Sequence, residues 1–353
     1  MLLMHKEQFG KRVRSLIAIL LSVGLAGCLM TGCGGQKENG AVASETASAG
    51  TQGEANEPDG AAGKSKETVP AADEMRTVED ELGHELTIPA QPKRIFAPYL
   101  EDSLVTLGVK PVAQWANGGS VQPYLQDRLA DVPKLDFSAG LPSPEELMTY
   151  EPDLIILHAA RYADEAAYAG YSKIAPTYVF NNASGDTVKS LQTIGDLVGR
   201  TAEAEQAIRA YNRKAGEAKE KLAQAADGKK AAIIRFAAKG VSLMGANYLA
   251  GYVVHKELGL GIPEPVGDEN SVNVSMEVLP ELDADYIFIV NQDGQGAERL
   301  KEMTDSRIWK LIPAVKAGRV YEVNEQYWLG SGLVAYGKII DDTVKLITQG
   351  GQQ

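Results

Sequence analysis

One uninterrupted amphipathic stretch, residues 201–226, constrains the fold of this chain more than any other feature. Its apolar residues recur every three or four positions: Ala204, Ile208, Tyr211, Ala215, Ala218, Leu222 and Ala225. This spacing predicts an α-helix with one buried face. At 1.5 Å per residue the helix would be roughly 39 Å long and would cross a whole domain. The alternative is an ordinary long surface helix. The flanking sequence favours a helix that crosses a whole domain.

Short apolar runs alternate with helical patterns on both sides of this stretch. Residues 153–157 (DLIIL) before it, and residues 230–236 (KAAIIRF) and 286–290 (YIFIV) after it, are typical of buried strands. Helices that alternate with such strands predict an α/β fold with largely parallel sheets.

The two flanks also share one unit of sequence. When residues 145–157 are set against residues 277–289, glutamate meets glutamate at the first position and aspartate meets aspartate at the ninth. We interpret this as a duplicated lobe. The predicted architecture is two Rossmann-like lobes with mostly parallel sheets, joined by one long spine helix. Because open α/β sheets bind ligands beyond the carboxyl ends of their strands, we expect a ligand cleft between the lobes.

The N-terminus has the pattern of an export signal. A basic segment is followed by the apolar run Leu16–Leu25, which is short for a membrane-spanning helix, and then by Leu-Ala-Gly-Cys28. This resembles the lipobox of bacterial lipoproteins, in which the cysteine becomes the lipid-modified, palmitate-bearing first residue. Cys33 is the alternative. Residues 34–75 contain almost no large apolar side chains and predict a flexible tether.

These patterns divide the chain into five predicted segments. They are a signal peptide (1–27), a tether (28–75), an N-terminal lobe (76–199), the spine helix (200–227) and a C-terminal lobe (228–353).

Composition and residue spacing exclude several classes of function. A net charge of −12 argues against a basic nucleic-acid-binding surface. Both cysteines lie near the N-terminus and the four histidines are far apart, so the folded part offers no disulfide and no metal-ligand spacing. No nucleophile motif or phosphate-binding loop suggests catalysis. An enzyme on a two-lobed scaffold is therefore a remote alternative.

Several segments together resemble class III solute-binding proteins of ABC importers, which bind ferric siderophores, haem and cobalamin. They are PKRI (92–95), LGVKPVA (107–113), the Glu-(x6)-Pro-Asp-Leu-Ile-Ile unit that starts at Glu145, the spine helix, and IPAVKAGRVYEVNEQYW (312–328). The resemblance covers about residues 77–348. Within that family the chain is most similar to ferric-siderophore-binding lipoproteins of Gram-positive bacteria, especially the hydroxamate type.

The resemblance implies a lipid-anchored monomer on the extracellular face of the cell membrane. Such a protein captures a ferric siderophore between its lobes and delivers it to a permease dimer with ATPase subunits for iron uptake. The resemblance implies no enzymatic activity and no cofactor, because the iron arrives inside its chelator. Haem or cobalamin on the same fold is the alternative ligand.

The resemblance also implies functional residues. Glu145 and Glu277 correspond to the glutamates, one per lobe, that dock on the permease, although a carboxylate that stabilises a helix N-terminus is the structural alternative. Loops after strands supply arginines and aromatic side chains that suit a ferric chelate. Arg235 stands out because a charged residue here follows a buried apolar run, and a salt bridge at the end of the strand is the structural alternative. The expected ligand-binding residues are Tyr99, Trp115, Arg161, Tyr162, Arg235, Tyr248, Tyr327 and Trp328.

Overall fold

The computed structural model describes residues 74–264, 266–267, 269–275, 278 and 281–349. The predicted signal peptide, both candidate lipidation sites (Cys28 and Cys33) and Glu277 lie outside the described residues. Most of residues 276–282, over which the sequence pattern predicts a helix, also lie outside them.

The chain before the long helix contains seven strands and five α-helices in the described residues. The strands are β1 (Met75–Glu79), β2 (Glu85–Pro89), β3 (Ile95–Phe96), β4 (Gln114–Ala116), β5 (Lys134–Asp136), β6 (Leu154–Leu157) and β7 (Thr177–Val179). The helices are α1 (Glu101–Thr106), α2 (Gln126–Leu129), α3 (Pro144–Met148), α4 (Glu165–Tyr171) and α5 (Thr187–Leu197). Strands β3, β6 and β7 form a parallel sheet in the order β3–β6–β7, and β4 pairs in parallel with β5. Strands β1 and β2 form an antiparallel hairpin around Gly83.

The long helix, α6, spans Thr201–Ala226, which confirms the predicted length and position. Its buried face carries the predicted residues with one exception: Ala226 is buried in place of Ala225. The reason is the 3.6-residue period of the helix, which brings position 226 under Leu222. The hydrophobic core that covers this face includes side chains from strands on both flanks, such as Ile156 and Ile233.

The chain after α6 forms a second, five-stranded sheet. Its strands are β8 (Ala231–Ala237), β9 (Gly240–Met244), β10 (Ser271–Asn273), β11 (Tyr286–Asn291) and β12 (Val320–Glu322), in the order β10–β9–β8–β11–β12. The helices are α7 (Leu249–Gly251), which continues as a π-helical turn over Tyr252–Glu257, α8 (Ala297–Asp305), α9 (Pro313–Lys316), α10 (Glu325–Trp328) and α11 (Leu333–Gln349).

The second sheet is more mixed than the sequence analysis expected. Strands β8, β11 and β12 are parallel, as predicted, but β9 and β10 are antiparallel additions at one edge. Strand β9 folds back from β8 through a two-residue turn at Ala238 and Lys239, because Ala237 pairs with Gly240. This hairpin places a lysine at the carboxyl end of β8.

A carboxylate from the first half of the chain caps a helix of the second half. Asp102 in α1 is buried, and its two oxygens accept hydrogen bonds from the backbone N–H groups of Val334 (3.0 Å) and Ala335 (2.9 Å) at the start of α11. These are donors that a helix leaves unpaired at its N-terminus. The preceding Gly332 has a φ of 135°, and a Cβ there would lie 2.1 Å from the Asp102 carboxyl carbon. Glycine is therefore required for this close approach.

Candidate ligand-binding site

Four of the predicted ligand-binding residues lie at the carboxyl edge of the first two parallel sheets. Tyr99 follows β3, Trp115 lies in β4, and Arg161 and Tyr162 follow β6. The ring of Tyr99 is the centre of this group, which we call the aromatic platform. Its centroid lies 4.4 Å from His158, 5.3 Å from Trp115, 5.7 Å from Phe137 and 5.8 Å from Tyr162.

The backbone of Tyr99 is strained. Its φ is 65°, a left-handed conformation that is uncommon for a bulky side chain. Such conformations cost about 1–3 kcal/mol and cluster at functional sites. With this backbone conformation the Tyr99 ring packs among the other rings of the platform. Burial there raises the pKa of its hydroxyl to about 12. The phenol therefore stays protonated and can donate a hydrogen bond at neutral pH.

One guanidinium lies over the platform. The Arg161 Cζ is 4.8 Å from the centroid of Tyr162, a cation–π distance, and its Nη2 is 3.4 Å from Nε2 of His158. Burial, and to a smaller extent the nearby Arg161 charge, lowers the pKa of His158 to about 4. The imidazole is therefore neutral, and Arg161 supplies the positive charge of this half of the site.

A buried acid lies beneath the platform. Glu101 is 2 % exposed, and its Oε1 accepts a hydrogen bond from the backbone N–H of Trp115 at 2.7 Å. Its Oε2 has no partner among the described residues, and neither does the indole N–H of Trp115. Burial raises the pKa of Glu101 to about 7. The carboxyl group thus holds Trp115 from below while its second oxygen stays unpaired.

The second sheet offers a polar, cationic cavity at the carboxyl end of β8. Arg235 is half-buried there, and its Nε and Nη2 both donate hydrogen bonds to Oε1 of Gln292, the first at 2.9 Å. The cavity measures about 480 Å³, and its lining includes Lys239, Ser242, Ser271 and Asn273. In the described part of the chain Arg235 forms no salt bridge, contrary to the structural alternative considered above.

The structure corrects the prediction for Trp328. Its side chain is fully buried, packs on Phe288 with centroids 4.9 Å apart, and donates its indole N–H to Asp342 at 3.0 Å. The short helix α10 turns it inward, so Trp328 is a core residue and not a pocket wall. The neighbouring Tyr327 is half-buried and donates its hydroxyl to the same Asp342 oxygen at 2.8 Å.

Two further predicted residues, Tyr248 and Glu145, are exposed. Tyr248 is 39 % exposed just before α7. Glu145 lies exposed in the first turn of α3, where Ser143 caps the helix by accepting a hydrogen bond from the Glu146 N–H. Its role in docking stays a prediction.

The sequence analysis missed several residues that these groups contain. Phe137 and Glu101 had no distinguishing pattern, because one resembles a core residue and the other a helix-terminal acid. Lys239 was detectable: after the AAIIRF run, the alternation of Val241, Ser242 and Leu243 indicates a second strand, and Lys239-Gly240 the turn before it.

Within the described residues, no three His, Cys, Asp or Glu side chains converge as a possible metal site. None of the helices in that same part of the chain combines the length and hydropathy needed to cross a bilayer.

Known proteins share both the sequence and the fold. Residues 102–327 match the periplasmic binding protein family. The iron(3+)-hydroxamate-binding protein YxeB of Bacillus subtilis is 30% identical over 270 residues, which cover 73% of this chain and 81% of that protein. The probable siderophore-binding lipoprotein YfiY of the same organism is 27% identical, with coverage of 77% and 87%.

Solved structures of binding proteins have the same fold as this chain. SirA of Staphylococcus aureus, complexed with staphyloferrin B, superposes with a TM-score of 0.67 at 25% identity and covers 77% of this chain and 98% of its own. FhuD2 of the same organism, with bound ferrioxamine B, has a TM-score of 0.63 at 19% identity, with coverage of 74% and 100%, and supports the fold alone. These matches confirm the predicted two-lobed α/β fold and the prediction of a binding protein without enzymatic activity. The chain belongs to the periplasmic binding protein family, the substrate-binding components of ABC transporters.

Proposed function

We propose that this protein captures a ferric siderophore between the aromatic platform and the Arg235 cavity. The observation that carries the proposal is the position of these two groups, each at the carboxyl end of parallel strands in its own sheet. Aromatic faces cover the organic backbone of a chelate, and guanidinium groups donate to its iron-binding oxygens. Relatives named for iron(3+)-hydroxamate binding support this ligand class.

The tryptophans of the chain provide a direct test. Of the three, Trp309 and Trp328 are buried in the core, and only Trp115 lies at the platform. We expect a ferric tris-hydroxamate to quench the fluorescence saturably, and its iron-free form to quench far less. In Trp115→Phe most of the quenching should disappear, while retention of the coloured chelate in equilibrium dialysis persists. Absence of retention for every ferric chelate would contradict the proposal, and tighter retention of haemin or cobalamin would replace the ligand.

We further propose that the protein is a lipid-anchored monomer at the extracellular face of the membrane, attached through Cys28 or Cys33. It would deliver its ligand to a permease dimer and its ATPase subunits. Relatives named as lipoproteins support the anchor. Glu145 and Glu277 would each meet a basic pocket on one permease subunit.

Two measurements test this part separately. Mass spectrometry of the membrane-extracted protein should find the lipid on one of the two cysteines, and Cys→Ala at that position should release the protein. Reversing the charge with Glu145→Arg should lower siderophore uptake by cells and leave the affinity of the purified protein for its ligand unchanged. Glu146→Arg, one position along the same helix turn, is the matched control, and an equal loss of uptake in both variants would contradict the assignment of Glu145.

A further inference from the structure

The cavity beside Arg235 has a chemistry that differs from the aromatic platform. Among the lining residues that the structure describes, two are cations, Arg235 and Lys239, and none is a carboxylate. The others near them are mostly neutral side chains with hydroxyl or amide groups that can donate hydrogen bonds: Ser242, Ser271, Asn273, Gln292 and Gln295. In a chain with a net charge of −12, this cavity is a local concentration of donors and positive charge.

Hydrogen bonds to Gln292 orient the guanidinium of Arg235 and occupy only some of its N–H donors. Gln292 accepts from Nε and from Nη2, which leaves three of the five N–H donors of the side chain without a hydrogen-bond partner among the described residues. A planar fork held in this way fits a carboxylate, which accepts two parallel hydrogen bonds.

Lys239 is held at the rim of the same cavity by backbone pairing. It lies at the tip of the β8–β9 hairpin, which closes with the Ala237–Gly240 pair. From outside, Arg299 donates a hydrogen bond from Nη1 to the Ala237 carbonyl at 3.2 Å, so the hairpin is braced next to its turn. Lys239 is exposed and forms no ion pair with any of the described residues.

We propose that this cavity is a subsite for a free carboxylate on the siderophore, separate from the oxygens that bind the iron, with Lys239 as a specificity-determining residue. The proposal rests on the proposed function and narrows its ligand class to chelates with an anionic arm. Arg235 would bind the carboxylate with its free donors, and Lys239 would neutralise the arm from the rim. A chelate whose arm is neutral would leave these donors unpaired, which costs affinity.

The test compares two ferric chelates that differ at one end. Both are the same linear tris-hydroxamate, and one ends in a carboxylate and the other in a primary amide. Titrated against the full chain by Trp115 quenching, the carboxylate form should bind about tenfold more tightly, as expected for a charge-assisted hydrogen bond. Lys239→Gln should reduce this preference to threefold or less, and higher salt should reduce it in the wild-type protein.

Lys316→Gln is the matched control, because it removes the same charge from an exposed position of the same half of the chain, outside the cavity. It should keep the tenfold preference. Equal affinity for the two chelates, or a preference unchanged in Lys239→Gln, would overturn the carboxylate subsite and leave the proposed function intact. If neither chelate binds, the proposed function fails and this inference fails with it.

Discussion

The two sheets are alike where their strands begin and different where they end. At the amino ends, Asp153 before β6 accepts from the backbone N–H groups of Lys93 (2.7 Å) and Arg94 (2.9 Å), and its own N–H donates to the Arg94 carbonyl at 2.8 Å. Asp285 before β11 does the same with Lys230, at 2.9 and 2.8 Å, and accepts from the Lys229 ammonium at 3.0 Å.

The resemblance extends to the next acid in each unit. Glu151 forms an ion pair with Arg94, and Asp283 forms one with Lys230. We call each pair of acids, Glu151 with Asp153 and Asp283 with Asp285, an acid clamp. At the carboxyl ends, one sheet carries the aromatic platform and the other the cationic cavity. The comparison shows that the amino ends of the two sheets are built alike while their carboxyl ends carry different side-chain chemistry, so we expect stability and ligand specificity to depend on different residues.

The largest effect should come from the acid clamps. Asp153→Ala removes two hydrogen bonds to a carboxylate and should lower the free energy of unfolding by about 4 kcal/mol. Asp285→Ala should lower it by about 3 kcal/mol, because one of its partners is a lysine side chain half in solvent. Urea unfolding measures both. Asp→Asn at either position keeps an acceptor and should recover part of the loss. Clamp variants with altered ligand affinity would break the separation proposed here.

The next effect is the pH dependence of stability that Glu101 contributes beneath the platform. The pKa of Glu101 is raised by burial from 4.5 to about 7, so the folded state binds this proton more tightly than the unfolded state. Its stabilising contribution is complete below pH 4.5 and is lost as the pH rises to about 7, a change of about 3 kcal/mol. Glu101→Gln cannot ionise and should reduce the fall of the free energy of unfolding in this pH window, and the fall that remains is expected from the buried Asp102, whose pKa burial raises to about 6. The same fall of stability with pH in Glu101→Gln would assign it to another group.

A pair of tryptophan variants sharpens the contrast between platform and core. Trp115→Leu should weaken ferric tris-hydroxamate binding about 30-fold, or about 2 kcal/mol, through loss of the aromatic face. Its stability should change little. Trp328→Leu should lower stability, because a fully buried side chain that bonds Asp342 is removed, and leave affinity near the wild-type value. Equilibrium dialysis and urea unfolding measure the two quantities, and the reverse pattern would contradict the assignments.

The smallest effect should be that of Arg161. Arg161→Gln removes a cation–π contact at the half-exposed edge of the platform and should weaken binding about fivefold, or about 1 kcal/mol. Arg161→Lys keeps the charge without the planar stacking. Its affinity should lie between those of the wild-type protein and Arg161→Gln. Dialysis at low and high salt would show whether charge or stacking dominates.

Local patterns in the sequence predicted the helices and strands well, and they predicted the candidate site at the carboxyl ends of the strands incompletely. The period of α6 and the apolar runs of β6, β8 and β11 depend on burial alone, which the sequence shows directly. Tyr99 and Tyr162 come close together because they follow β3 and β6, neighbouring parallel strands whose carboxyl ends meet at one edge of the sheet. The burial of Trp328 did not follow, since it depends on how a four-residue helix turns against β11. The burial of Glu101 and its unpaired oxygen could not be predicted either, because they result from packing between residues that are distant in the sequence.

Asp102 has a consequence for motion. Pulling α1 away from α11 would strip two amide groups at the start of a 17-residue helix of their acceptor and leave a carboxylate to find water instead. With each such bond contributing about 1.5–3 kcal/mol, separation at this point is expensive. A ligand should therefore enter and leave by rearrangements elsewhere, while this contact stays closed and serves as the pivot.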